Sequence, residues 1–239
     1  MKVKPRQSAL TLMEMTVVIS VIAMLTVFGL PAIRAFFNSF ESRGAARSMI
    51  SAALASARAI AAKEQHYAGI RFQNRYQENG EGCQYMIFII NDTEIGPGVA
   101  GNLGCRAVKG LEPIKLPDSV GVMEVVNSDD EIDGDDELTD KTTFSIIFSP
   151  SGKLVIHNLW VRSRGSEDDI FNTQINVANR TGMFVQDEIT NDIEPSKNSF
   201  RIYDKDIFEK INPNRRWSDY LEDLEAIYIN PYAGTMINR

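Results

Sequence analysis

The sequence predicts an α+β fold in which a long N-terminal α-helix, first transmembrane and then amphipathic, packs on an antiparallel β-sheet head. Three observations lead to this expectation: an apolar run near the N-terminus, an alanine-rich stripe at helical spacing behind it, and short strand-like segments in the remainder. The chain has 239 residues, of which 44% are hydrophobic and 24% charged. These values are typical of a folded protein and argue against a disordered, collagenous or coiled-coil chain.

The apolar run covers residues 10–33, where Glu14 is the only ionisable side chain. About 20 such residues span the ~30 Å hydrocarbon core of a bilayer. Residues 1–9 carry three basic and no acidic side chains, which predicts that they stay on the cytoplasmic side. A secretory signal peptide is disfavoured because its apolar region is shorter and Leu30–Arg34 is a poor cleavage site. A plain signal anchor fits the length but gives no reason for a carboxylate in the run.

A second helical segment follows the apolar run. Small and apolar residues recur at helical spacing at Ala46, Met49, Ile50, Ala53, Leu54, Ala57, Ile60 and Ala61. This spacing predicts an inward stripe that packs against a sheet, with Arg43, Arg47 and Arg58 on the opposite side. The predicted helix runs from about residue 10 to about residue 64.

The remainder indicates a β-rich head. Predicted strands cover residues 67–73, 84–91, 120–126, 143–149, 153–158 and 199–203, with two more within 170–185. Residues 92–117 predict a long loop, and Ser149-Pro150-Ser151-Gly152 predicts a type I turn. The alternation in residues 143–149 is typical of a half-buried strand. Short helices are expected over residues 204–211 and 217–226.

The segment from Ala9 to Ala23 resembles the type III signal of type IV prepilins and type II secretion pseudopilins. In that family a prepilin peptidase removes a short basic leader and methylates the new N-terminal amine. The resemblance implies cleavage between Ala9 and Leu10, N-methylation of Leu10 and an assembly role for Glu14. Pro31 matches the family's proline near the far end of the membrane helix, where it implies a helix kink. Ala9 and Leu10 stand where the family usually has glycine and phenylalanine.

The resemblance also implies a pilin-like domain organisation. Residues 1–9 would be the cleaved leader, 10–31 the transmembrane half of the helix and 32–66 its amphipathic half. Residues 67–203 would form the globular head and 204–239 a C-terminal extension. Residues 49–72 and the hairpin around residue 150 resemble minor pseudopilins of the GspH/FimT type.

Two further groups of side chains are candidate sites. Cys83 and Cys105 would lie in an oxidising compartment, where a bridge would contribute roughly 3 kcal/mol; two unbridged thiols are the alternative. Asp129, Glu131, Asp133 and Asp140 occupy oxygen-donor positions of a twelve-residue calcium loop. That loop has aspartate at its twelfth position instead of glutamate, and a solvated acidic loop is the simpler interpretation.

The function that the resemblance implies is that of a structural subunit, a minor pseudopilin of a type II secretion-like pseudopilus. Its partners would be other pseudopilins or pilins, the prepilin peptidase and the inner-membrane assembly platform. Its location would be the bacterial cytoplasmic membrane, with the head in the periplasm or outside. A minor type IV pilin, active in DNA uptake, and a membrane-anchored exported binding protein or enzyme are the alternatives.

Composition and motifs favour a protein that is neither an enzyme nor a nucleic-acid binder. Residues 76–239 carry 29 acidic and 15 basic side chains, and the whole chain has a net charge of −7, which argues against a broad nucleic-acid interface. The sequence has only two cysteines and two histidines, which are few candidate ligands for a thiolate or histidine metal centre. The sequence also lacks P-loop, nucleophile-elbow, zinc-protease and dinucleotide-binding motifs. We therefore expect no cofactor, with calcium as the one candidate.

Overall fold

The computed structural model describes residues 12–76, 83–93, 102–125, 140–163, 170–172, 182–186 and 193–238. The chain divides into two compact units, Met1–Glu41 and Ser42–Arg239. Helix α1, Leu12–Glu64, begins in the first unit and ends in the second. Its last turn contains Lys63, and Gln65 follows with a left-handed φ of 56°. A left-handed residue at this position ends a helix because the chain can no longer continue the helical hydrogen bonds.

The elements of the second unit are mainly short strands. In chain order they are β1 Ala68–Asn74, β2 Gln84–Asn91, β3 Leu103–Ala107, β4 Ile114–Lys115, β5 Val120–Glu124, β6 Phe144–Phe148, β7 Leu154–Val155, β8 Asn158–Val161, β9 Glu194–Pro195, β10 Ser199–Asp204, α2 Lys205–Lys210, a 3-10 turn Pro213–Arg215, a π-type turn Trp217–Leu221, β11 Ile227–Ile229 and β12 Met236–Asn238. Asp204 caps α2, since its side chain accepts a hydrogen bond from the Ile207 amide.

The described strands form two sheets. The larger sheet has eight strands in the order β7-β6-β1-β2-β3-β8-β9, with β4 also paired to β2. Its β3–β8 pair is parallel and its other pairs are antiparallel. The smaller sheet has the order β12-β11-β10-β5 and is antiparallel throughout. Gly69 allows β1 to approach β6 closely, because a Cβ atom there would overlap the carbonyl oxygen of Ile146.

The larger sheet is covered on both faces. On one face a core cluster joins side chains of α1 with Ile70, Phe72, Phe144 and Ile146, and Phe200 of the smaller sheet also belongs to it. On the other face a second cluster contains Ile87, Ile89, Cys105, Ile147, Leu159, Val161, Phe171 and Phe184. Covering both faces explains why every residue of β6 is buried, Ser145 included. The half-buried strand predicted for residues 143–149 is therefore wrong in its burial.

Gln84 links the two sheets. Its side chain is 1% exposed. Its amide nitrogen donates to the carbonyl oxygens of Val122 at 2.7 Å and Thr142 at 2.8 Å. Its amide oxygen accepts from the Val122 N–H at 2.7 Å. The side chain thus satisfies both backbone groups of one residue in β5, as a neighbouring strand would.

The predicted fold class is wrong. The expected architecture was a transmembrane and then amphipathic helix packed on one antiparallel sheet. The described strands instead form two sheets, and the larger one contains a parallel pair. Within the described residues, none of the helices combines the length and hydropathy that a membrane crossing needs. β3 and β8 are far apart in the sequence, and no local pattern indicates that such distant segments pair, so their pairing was not predictable.

Local predictions fared unevenly. The strands predicted over residues 67–73, 84–91, 120–126 and 199–203 are confirmed, with bounds that shift by one or two residues. The turn at 149–152 is confirmed by a hydrogen bond from the Gly152 N–H to the Ser149 carbonyl at 2.8 Å. The long loop predicted for residues 92–117 is wrong in part, because β3 and β4 lie within it. The strands predicted within 170–185 fall largely outside the described residues.

Candidate functional site

The residues that the resemblance singled out belong to the first 31 residues of the sequence. Ala9 and Leu10 are outside the described residues. Glu14 is part of α1, of which only the backbone is described at that position. Pro31 lies inside α1, and helical backbone is present on both sides of it. The predicted processing site and the predicted assembly carboxylate therefore remain predictions from the sequence.

The described side chains of residues 13–24 form an exposed apolar surface. Seven large apolar side chains there are 49% to 78% exposed: Met13, Met15, Val17, Val18, Ile19, Val21 and Met24. Since successive helical residues are turned by about 100°, these seven cover roughly two thirds of the circumference. A helix that is apolar on most sides is stable in water only when a partner covers it. We call residues 13–24 the exposed apolar segment.

The hydroxyl groups of this segment do not offset its apolar character. The Ser20 hydroxyl donates to the Thr16 carbonyl oxygen at 2.8 Å, one turn earlier in the same helix. Such a bond satisfies the hydroxyl within the helix, so the group makes little demand on water. The segment is therefore suited to an apolar partner around most of its surface.

The second half of α1 has the opposite character. Ala46, Ile50, Ala53, Leu54, Ala57 and Ala61 are buried, and Met49 and Ile60 pack against the same core cluster. The predicted inward stripe is confirmed residue by residue. Small side chains allow the helix backbone to approach the sheet, which is why alanine occupies four of the six fully buried positions.

Two arginines of α1 bind the C-terminal part of the chain. Arg58 donates to the carbonyl oxygens of Gly152 at 2.8 Å and Ala233 at 2.9 Å. Arg43 donates to the Tyr220 hydroxyl oxygen at 2.8 Å. The prediction that Arg43 lies opposite the stripe is wrong, because Arg43 precedes Ala46 by three residues and so continues the buried face. Arg58 directly follows Ala57, lies beside the stripe and is half-buried.

A third cluster of buried side chains surrounds the Arg43 contact. It contains Met123, Tyr203, Phe208 and Leu221, with Trp217, Tyr220 and Leu224 packed against it. The Tyr220 hydroxyl oxygen also accepts from the Asp204 N–H at 2.8 Å. Burial raises the pKa of both Tyr203 and Tyr220 above the ordinary tyrosine value. Residues 204–239 are thus packed against α1 and the smaller sheet, to which they contribute β11 and β12.

The candidate disulfide does not form. Cys83 directly precedes β2, whereas Cys105 pairs with Asn91 at the far end of that strand. At 3.4 Å per residue the two ends of β2 are about 24 Å apart. A disulfide requires Cα atoms within roughly 7 Å of each other. Both cysteines are described, and neither is bridged.

The Cys83 thiol instead donates to a carboxylate of the β4–β5 turn. Its Sγ lies 3.2 Å from Asp118 Oδ1. Lys115 Nζ approaches the same carboxylate oxygen at 2.7 Å and is the main reason that the pKa of Asp118 is lowered. Lys205 interacts electrostatically with Cys83, Asp118 and Lys115, and burial lowers the pKa of its amine. The group is a local electrostatic network on the surface of the second unit.

The candidate calcium loop lies mostly beyond the described part of the chain. Asp129, Glu131 and Asp133 are outside it, and Asp140 is exposed at the start of a helical turn over residues 140–142. Among the residues that the structure describes, no group of three or more histidine, cysteine, aspartate or glutamate side chains is arranged to hold a metal ion. The calcium proposal therefore stays a prediction.

Comparison of this chain with protein-family models, curated proteins and solved structures finds no match.

Sequence reasoning missed the residues that join the parts of the second unit. Gln84 was placed in a strand, but nothing in its context marked it as the link to Val122. Arg43 and Arg58 were predicted to lie on the side of the helix opposite the stripe, although the three-residue step from Arg43 to Ala46 is a detectable signal. The carbonyl partners of Arg58 lie 94 and 175 residues away along the chain, a separation over which sequence carries no local pattern.

Proposed function

We propose that this chain is a structural subunit of a type II secretion-like pseudopilus, a minor pseudopilin. It is made as a precursor whose leader is removed after Ala9, and the new amine of Leu10 is methylated. Other pseudopilins, the prepilin peptidase and the inner-membrane assembly platform are its partners. The head stands on the far side of the cytoplasmic membrane.

The observation that carries the proposal is the exposed apolar segment directly behind a short basic leader. Seven large apolar side chains within residues 13–24 are about half exposed or more. In water each large apolar side chain left uncovered forfeits about 1.5–3 kcal/mol that burial would contribute. Packing against the corresponding segments of other subunits, or against lipid before assembly, recovers this free energy.

The carboxylate of Glu14 supplies the register in this proposal. Cleavage after Ala9 creates a positive amine on Leu10, four residues before Glu14. Groups separated by four residues share one face of a helix. In an assembled filament the Leu10 amine of a neighbouring subunit pairs with Glu14 in place of the chain's own amine. The pairing is favourable because a carboxylate without a partner among apolar side chains is costly.

The first experiment tests processing. We expect Ala9→Leu to block cleavage, since the resemblance implies that the peptidase requires a small substrate residue before the cleaved bond. Ser8→Leu makes the same change in bulk one residue earlier and should be cut normally. Both variants are expressed as full chains beside the prepilin peptidase, and the mature N-terminus is read by mass spectrometry. A mature Ala9→Leu chain that begins at Leu10 would refute the cut site.

The second experiment tests assembly. We expect Glu14→Ala to be cut normally but to be lost from purified pseudopili, because the charge that sets the register is gone. Glu64→Ala removes an exposed carboxylate of the last helical turn and should assemble as the unaltered chain does. Immunoblots of sheared filaments measure both. Glu14→Ala subunits present at the normal ratio to the main filament subunit would overturn the role of Glu14.

A further inference from the structure

A cleft lies at the C-terminal end of α1, within the second unit. Its walls come from the last turns of α1, from β2 and β3, and from the turn that follows β3. The cavity has a volume of about 420 Å³. That volume is within the range of pockets that hold a ligand or a few side chains of a partner.

The floor of the cleft is apolar and rigid. Ile90 belongs to the core cluster under the larger sheet, and Ile60 and Val108 pack against that cluster. Leu111 lines the cleft while 42% of its surface remains exposed. The Val108–Leu111 turn is closed by a hydrogen bond of 3.2 Å from the Leu111 N–H to the Val108 carbonyl. An apolar side chain that enters the cleft therefore meets a preformed surface.

The rim of the cleft is cationic. Lys63, Arg106 and Lys109 line it, against the single carboxylate of Glu64. Lys63 Nζ lies 2.8 Å from Glu64, but both side chains are largely exposed, so this pair holds little free energy. Arg106 is fixed by Asp92, whose carboxylate oxygen lies 2.6 Å from its Nε. Among the described residues Lys109 has no ion-pair partner, so its charge faces solvent beside the apolar floor.

We propose that this cleft binds an acidic segment of a partner polypeptide, with one apolar side chain of that segment seated on Ile60, Ile90 and Val108. The carboxylates beside the apolar side chain pair with Lys63, Lys109 and Nη2 of Arg106, whose Nη1 donates to the Ala107 carbonyl oxygen at 3.1 Å. The cleft would bind in the same way whether or not the chain assembles into a pseudopilus.

The charge distribution of the chain supports an acidic occupant. Residues 76–239 carry 29 acidic and 15 basic side chains, so the average surface repels acidic partners. At the rim of the cleft the local charge is positive instead of negative, and the apolar floor lies directly beneath it. Opposite charge at the rim selects the partner and fixes its orientation, while burial of the apolar side chain supplies affinity.

The experiment uses the full chain and a fluorescein-labelled synthetic peptide, DDEIDGDDELTD. This probe, taken from residues 129–140, carries eight carboxylate side chains together with one isoleucine and one leucine. Fluorescence anisotropy measures its affinity for the unaltered chain and for Lys63→Glu, Lys109→Glu and Lys210→Glu. Lys210→Glu is the matched control, because Lys210 is an exposed lysine on α2 that does not line the cleft. Near-UV circular dichroism confirms that each variant is folded.

We expect Lys63→Glu and Lys109→Glu each to weaken binding about fivefold or more, and Lys210→Glu to weaken it less than about twofold. A peptide with serine in place of isoleucine and leucine should lose most of its affinity. Equal effects of Lys109→Glu and Lys210→Glu would overturn the proposal, since attraction would then be non-specific. So would full binding by the serine peptide, or no binding at millimolar peptide.

Discussion

The two ends of α1 contain apolar side chains in opposite circumstances. Residues 13–24 carry large side chains, valine, isoleucine and methionine, and these are exposed. Residues 46–61 carry alanine at four of the six buried positions of the stripe, and the stripe packs in the main core cluster. Side-chain size alone therefore does not indicate which part of this helix is buried. The comparison teaches that the buried half of α1 has a matching surface within the chain, whereas the described side chains of residues 13–24 have none among the described residues.

The largest effect should come from truncating the buried stripe. Leu54 is fully buried in the main core cluster, so Leu54→Ala should lower the free energy of unfolding by about 2–5 kcal/mol. Ile19→Ala removes an exposed side chain of the other end of α1 and should change it by less than about 0.5 kcal/mol. Urea unfolding followed by Trp160 and Trp217 fluorescence measures both. Equal effects would break the comparison.

Adding bulk tests the same contrast from the other direction. Ala57 is fully buried between α1 and the larger sheet, so Ala57→Leu should destabilise by about 1–3 kcal/mol through overpacking. Ala62→Leu makes the same change at an exposed position of the same helix and should be nearly neutral. Thermal unfolding by circular dichroism distinguishes them. An Ala57→Leu chain as stable as the unaltered one would mean that the stripe is loosely packed.

The polar anchor of the buried half should contribute less than its apolar contacts. Arg58→Met keeps much of the side-chain volume but removes the hydrogen bonds to Gly152 and Ala233. We expect the free energy of unfolding to fall by about 1–2 kcal/mol, because two carbonyl oxygens lose a charged donor. Water reaches part of the site and replaces some of the lost hydrogen bonding, which limits the effect. Lys63→Met, at an exposed position five residues later, is the control. A loss no larger than that of Lys63→Met would mean that Arg58 does not anchor the C-terminal turn.

The smallest effect concerns alkaline pH. Burial raises the pKa of Tyr203 above its unfolded value of about 10, so the neutral form stabilises the fold below that pH. This stabilisation is lost as pH rises from the unfolded pKa toward the folded one, by about 0.8 kcal/mol at pH 10.5. Tyr203→Phe should flatten the stability profile between about pH 9.5 and about pH 10.5, on either side of the unfolded pKa of about 10. Retention of the full slope in Tyr203→Phe would assign it to another group.

Sequence predicted the features that repeat locally and missed those that depend on distant partners. The stripe from Ala46 to Ala61 follows from a 3.6-residue period, and β2 follows from an apolar run between turn residues. The parallel pairing of β3 with β8 joins segments about 55 residues apart, where no local period applies. The same limit hid the bonds of Arg58 and the separation of Cys83 from Cys105.

Gln84 has a consequence for the free edge of the smaller sheet. Among the described strands β5 lies at one edge of the smaller sheet, and an edge strand offers N–H and carbonyl groups to any extended chain that approaches. At Val122 the Gln84 carboxamide already occupies both groups. A foreign strand would have to displace a buried side chain before it could add to this edge.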